Sequence, residues 1–126
     1  DELQIEAIAA AVRRHRFDAV IATNTTLERA AVMDDPHAGE TGGLSGKPVF
    51  DKSTAVLAAL HTKLAGEIPL IGVGGICSGE DAVAKRTAGA ELVQLYTGLI
   101  YQGPALVRET GQALARHTRQ SHRPSL

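Results

Sequence analysis

The chain has 126 residues, enough for one small domain around one core. Its net charge of −1 and pI near 6.6 leave no basic field for nucleic acid and no charged face for anionic lipid. A single cysteine, Cys77, excludes an internal disulfide framework and a cysteine-rich zinc site, and it fits a reducing, cytoplasmic setting. Hydrophobic residues make up 44% but aromatics only 3%, so the core has to be built from Ala, Val, Leu and Ile. That composition suits helices packed on a parallel sheet.

Taken in chain order, residues 1–16 repeat apolar positions at helical spacing: Leu3, Ala7, Ile8, Ala11 and Val12. Acidic residues come first and Arg13, Arg14 and Arg16 last, which complements the helix dipole. The chain opens on Asp1 directly into this pattern, which reads as an internal cut. Residues 17–22 form a short apolar run, expected to be a strand buried on both faces. Residues 23–46 are polar and rich in Gly, Thr and Asp, long enough to suggest a functional loop or lid.

A second helix is expected over residues 48–65, with Pro48 in its first turn and Leu57, Leu60 and Leu64 as its buried stripe. Gly66 is its expected stop. Residues 68–73 are a second buried strand ending in Gly74 and Gly75. A third helix is expected from Ser78 to near Gly89, opened by Ser78 and Asp81 as a variant capping box. Residues 92–95 are a third strand. Gly103 and Pro104 open a last helix running to about Arg116, and residues 117–126 read as a polar tail. Strands alternating with helices mean parallel βαβ units.

In such folds ligands bind just beyond the carboxyl ends of strands. Gly74 and Gly75 follow one strand there, and Tyr96, Thr97 and Gly98 follow the next. Bare backbone at both ends suits a phosphate, while tight βα turns explain the same glycines without a ligand. Asn24 and Thr25 suit a planar substrate with amide and carbonyl edges, or a self-capped turn. Glycines 39, 42, 43 and 46 punctuate the long loop, either for flexibility or to close amides over a cofactor. Lys47 is an anion binder or a solvated charge. Cys77 reads as a passive turn residue. The histidines show no metal spacing.

Four stretches carry a resemblance to a known family. They are Phe-Asp-Ala-Val-Ile-Ala-Thr-Asn-Thr-Thr (17–26), Glu-Thr-Gly-Gly-Leu-Ser-Gly-Lys-Pro (40–48), Ile-Gly-Val-Gly-Gly-Ile (71–76) and Leu-Val-Gln-Leu-Tyr-Thr-Gly-Leu-Ile-Tyr-Gln-Gly-Pro (92–104). In order, spacing and strand-end position they resemble class 2, quinone-dependent dihydroorotate dehydrogenases. The resemblance implies an α/β fold, the C-terminal portion of a (β/α)8 TIM barrel, with strands six to eight and their helices in residues 1–116. It implies an FMN flavoprotein oxidoreductase that oxidises (S)-dihydroorotate to orotate in pyrimidine biosynthesis, with quinone as acceptor. Full-length members are peripheral on the inner membrane.

Carried over position by position, Thr23, Gly46, Gly74, Gly75, Tyr96, Thr97 and Gly98 resemble FMN contacts, and Asn24 and Thr25 resemble substrate contacts. The family's serine base lies earlier in the barrel and has no counterpart here, so a truncated fragment, inactive alone, is expected. An open three-strand sheet is also expected to self-associate. Two other readings are a non-catalytic phosphate- or flavin-binding half-barrel module and a half-barrel that completes itself by swapping.

Overall fold

The computed structural model describes residues 1–121. Helix α1 (Glu2–Arg14) starts where the Asp1 carboxylate accepts the Gln4 amide at 2.9 Å and the Gln4 side chain takes the Asp1 ammonium at 2.9 Å. Its buried face is Ile5, Ala9 and Val12, spaced four and three residues apart. Leu3 and Ile8, expected on that face, are exposed: the helix is rotated so that Ala9 and Val12 meet its neighbour. Arg13 closes it, donating to the Glu67 carboxylate and to the Lys63 carbonyl.

Strands β1 (Val20–Ala22), β2 (Leu70–Val73) and β3 (Leu92–Gln94) form one parallel sheet in chain order. Ile21 pairs with Ile71 and Ile71 with Leu92, so these three share one face. Ala22, Leu70 and Gly72 point the other way, into the helices. The expectation of a strand buried on both faces is corrected for residues 17–22. Ile21 is 58% exposed, and Leu92 beside β2 is 64% exposed, because nothing among the described residues covers that face.

Helix α2 (Phe50–Leu64) is entered through one 3-10 turn at Lys47–Val49. Leu57, Leu60 and Leu64 are its buried stripe, as the spacing predicts, and pack with Ile68, Leu70 and Ala90. Each leucine so buried contributes roughly 1.5–3 kcal/mol. The stop falls one residue earlier than expected, with Ala65 in the left-handed region at φ 51° before Gly66 at φ 80°.

Helix α3 (Gly79–Thr87) is capped by Ser78, whose hydroxyl accepts the Asp81 amide at 3.1 Å. The second half of the expected capping box does not form. Asp81 instead accepts the Cys77 amide at 2.9 Å and the Lys47 ammonium at 3.0 Å.

A short helix, α4 (Thr97–Gln102), occupies what the sequence reads as a loop. Helix α5 (Ala105–Ser121) buries Leu106, Thr110 and Ala113 and passes Arg116 by more than a turn. The expected tail boundary at residue 117 is thereby corrected through Ser121. The rest of the tail, residues 122–126, lies outside the described residues. Among the described residues no helix is long and apolar enough to cross a membrane.

Strand order β1-β2-β3 without reversal, with helices on one face, is the pattern of a barrel segment. A doubly wound sheet would reverse direction and carry helices on both faces. The chain is therefore a partial barrel, and its loops after β1, β2 and β3 fall at one end of the sheet.

Candidate active-site cleft

The three strand ends are locked together by close backbone approaches. Beyond β1, the Thr23 amide donates to the Val73 carbonyl at 3.2 Å, keeping Thr23 beside the end of β2. The Thr23 hydroxyl donates to the Asn24 carbonyl at 2.9 Å, and the Asn24 side-chain oxygen accepts the Thr25 amide at 2.8 Å. The Asn24–Thr25 turn is thus self-capped while both side chains stay exposed toward the cleft.

Gly75, at φ 73°, sits against α2: a Cβ there would lie 2.5 Å from the Phe50 Cβ and 2.7 Å from the Phe50 nitrogen. Gly98 is held as tightly, since a Cβ there would lie 2.0 Å from the Ile76 carbonyl oxygen. Gly46, at φ 77°, lies beneath Thr97, whose hydroxyl donates to the Ser45 hydroxyl at 3.0 Å. Packing within the chain accounts for these glycines, and their bare backbone faces a cleft as a result.

That cleft has a volume of about 460 Å³. All nine residues singled out from the sequence line it: Thr23, Asn24, Thr25, Gly46, Gly74, Gly75, Tyr96, Thr97 and Gly98. Sequence reasoning missed Ser45 and Gln94, which also line it. Gln94 alternates with Val93 on β3, so strand period alone places it on the cleft side. No carboxylate, imidazole, amine, guanidinium or thiol is among the lining residues.

The long loop is not loose. Thr26 and Leu44 exchange backbone hydrogen bonds at 3.0 and 2.7 Å, forming an antiparallel neck. Arg29 stitches the excursion inside that neck, donating to the carbonyls of Thr26, Glu40 and Gly42. Lys47 borders a second hollow of about 700 Å³ rather than the cleft, and it pairs with Asp81. Burial pushes the Asp81 carboxyl up, but the Cys77 amide, Lys47 and the Ser78 hydroxyl outweigh it and hold its pKa below the usual carboxylate value.

One group behind the cleft was also missed. Lys85 is fully buried and donates to the Ser53 hydroxyl at 2.5 Å and to the Phe50 carbonyl at 3.3 Å. Its ammonium lies 4.8 Å from the centre of the Phe50 ring. Position 85 follows Ala82 by three residues, so helical spacing did carry a signal of its burial.

Residues 1–117 match a family model described as dihydroorotate dehydrogenase. A Dechloromonas aromatica (strain RCB) protein described as dihydroorotate dehydrogenase (quinone) is 64% identical over 121 residues, covering 96% of this chain and 35% of that protein. One from Burkholderia multivorans, described in the same words, is 61% identical over 116 residues, covering 92% of this chain and 34% of that protein. Among solved structures, Eimeria tenella DHODH in complex with ferulenol aligns with a TM-score of 0.87 at 33% identity. That alignment covers 97% of this chain and 32% of the other. The chain spans about a third of the length of the curated relatives it matches. A partial parallel barrel, a cleft at its strand ends and a family match over nearly every residue agree: the chain belongs to the dihydroorotate dehydrogenase family.

Proposed function

We propose that the full-length protein oxidises dihydroorotate to orotate with FMN as its flavin and quinone as acceptor, and that this segment supplies part of the binding site. The observation that carries the proposal is the convergence of nine motif residues, eight from three strand ends and Gly46 from the turn before α2, on one uncharged cleft. The cleft suits a flavin phosphate and ring: it offers bare glycine backbone at Gly74, Gly75 and Gly98, and hydroxyls at Thr23 and Thr97. Asn24 and Thr25 line the same cleft, and their amide and hydroxyl groups would meet an amide or carbonyl edge of the pyrimidine. When bound, FMN would accept two electrons from the substrate and pass them on to quinone.

The chain's own residues bind and orient. The lining holds no carboxylate, imidazole, amine or thiol, and its one serine, Ser45, is tied to the Thr97 hydroxyl and is not at the position of the family's serine base, so the base is assigned to residues outside this chain. The isolated segment is then inactive. The same uncharged lining favours one second reading, a non-catalytic flavin- or phosphate-binding module. In the main reading the full-length protein is a peripheral protein on the cytoplasmic side of the inner membrane, where quinone is at hand.

Turnover of dihydroorotate by the full-length protein, followed by orotate absorbance with a soluble quinone, separates the two. The proposal expects turnover from the full-length protein and none from residues 1–126 alone. FMN binding without turnover in the full-length protein would establish the module instead. Turnover by residues 1–126 alone would overturn the assignment of the base.

A further inference from the structure

Behind the Gly74–Gly75 end of β2 stands a buried chain of three groups. The Lys85 ammonium donates to the Ser53 hydroxyl at 2.5 Å, and the Ser53 hydroxyl lies within donating distance of the Gly74 carbonyl at 3.2 Å. Ser53 is 1% exposed and Lys85 is 0% exposed, so water does not compete for these bonds.

A serine has one hydroxyl proton, and here it has two carbonyls to choose from: Phe50 at 3.0 Å and Gly74 at 3.2 Å. Two other side chains already supply Phe50: the Thr54 hydroxyl at 2.7 Å and the Lys85 ammonium at 3.3 Å. Lys85 also fills a lone pair on the Ser53 oxygen, which orients that hydroxyl. With Phe50 supplied by Thr54 and the lysine, the Ser53 proton is free for Gly74. In a planar trans peptide the C=O and N–H point in opposite directions. A Gly74 carbonyl turned back toward Ser53 therefore turns the Gly75 N–H away from α2 and toward the cleft that Gly75 lines.

Charge points the same way. The cleft lining carries no formal charge. Lys47 is bound to Asp81, whereas none of the ion pairs among the described residues includes Lys85. Its positive charge stands directly behind the glycine pair, with the Ser53 hydroxyl between.

We propose that Lys85 is a positioning residue for the anionic end of the ligand: through Ser53 it fixes the Gly74–Gly75 peptide with its amide toward the cleft, and it sets a positive charge behind that amide. This rests on the reading of the cleft as a flavin-phosphate site.

The test compares FMN with riboflavin, the same ring system without the phosphate, by flavin fluorescence titration of the flavin-stripped full-length protein. Wild type, Lys85→Met, Ser53→Ala and the double variant are measured. Each single variant is expected to lower the preference for FMN over riboflavin roughly tenfold while leaving riboflavin affinity unchanged, and the double variant to lose no more than either single. An unchanged preference in Ser53→Ala or Lys85→Met would overturn the proposal. Equal weakening of both ligands, the mark of general loosening, would do the same. If Lys85→Met does not fold, Ser53→Ala, which removes one oxygen, decides alone. A wild-type protein that binds FMN no better than riboflavin would instead overturn the phosphate reading of the cleft, and this inference with it.

Discussion

Burial disfavours the Lys85 ammonium more than Asp81 and Asp51 favour it, and its pKa falls to about 8 from an ordinary 10.5. Between those two values the unfolded chain holds a proton that the folded protein has released, so rising pH favours the folded state. The unfolding free energy of wild type minus that of Lys85→Met should therefore increase from pH 8 toward 10.5 in urea titrations; a flat difference would mean that the site titrates as in water. Asp81 works on the acid side. Its depressed pKa contributes stability above the ordinary carboxylate range that is lost as pH falls through the folded value. Asp81→Asn keeps an oxygen for the Cys77 amide but gives up the charge facing Lys47. It should cost about 1 kcal/mol at neutral pH, and less in acid. Neither role was legible residue by residue. Ser78 and Asp81 have the spacing of a capping box, but a tertiary partner, Lys47, and the neighbouring Cys77 amide compete better for the carboxylate. Lys85 reads as a surface charge until its place on the Asp81–Ala82 stripe is weighed.

Among the elements, two glycines make opposite predictions. Gly98 lies in α4 with no room for a methyl, its Cβ position 2.0 Å from the Ile76 carbonyl oxygen. Gly98→Ala should lower stability by more than about 2 kcal/mol, because backbone on both sides has to shift. Gly111 lies within α5 with nothing within 4 Å of its Cβ position. Gly111→Ala should raise stability by about 0.5–1 kcal/mol, the ordinary cost of glycine inside a helix. Thermal unfolding of the two variants beside wild type checks both signs. Element order was readable because apolar runs of strand length alternate with helical stripes such as Leu57, Leu60 and Leu64. Helix α4 was not, because Thr97 and Gly98 look like turn residues and only the contact with Ile76 shows the packing that holds them. Helix α1 was placed correctly but rotated wrongly. Its apolar residues outnumber the positions its neighbour can cover, so periodicity alone could not choose Ala9 over Ile8.

For the molecule as a whole, the telling fact is the bare face of the sheet. Ile21 and Leu92 stand open on the side that a closed barrel would fill with its own side chains. Residues 1–126 expressed alone should self-associate through this face and the two strand edges. Light scattering behind size exclusion should show a mass above 13.2 kDa, and Ile21→Lys with Leu92→Glu should bring it down toward that value. A sharp monomer from the unsubstituted chain would contradict this. The barrel ancestry was legible in four motifs and the nine cleft residues came with it, since three motifs run across a strand end and the fourth, 40–48, brings Gly46 beneath Thr97. The open face follows from counting strands, three where closure takes eight.

The neck between Thr26 and Leu44 has a consequence for how this protein can vary. It closes the excursion on itself before the chain reaches Ser45 and Gly46, with Arg29 tying its ends together, Gly43 packed on the Thr25 side chain and Glu28 paired with Lys52. Lengthening such a loop is cheap: a doubling adds roughly 0.6 kcal/mol of closure entropy. Residues 30–39, clear of those three contacts, are thus the stretch where a tag or reporter peptide should be accepted with Thr23 and Gly46 left where they stand.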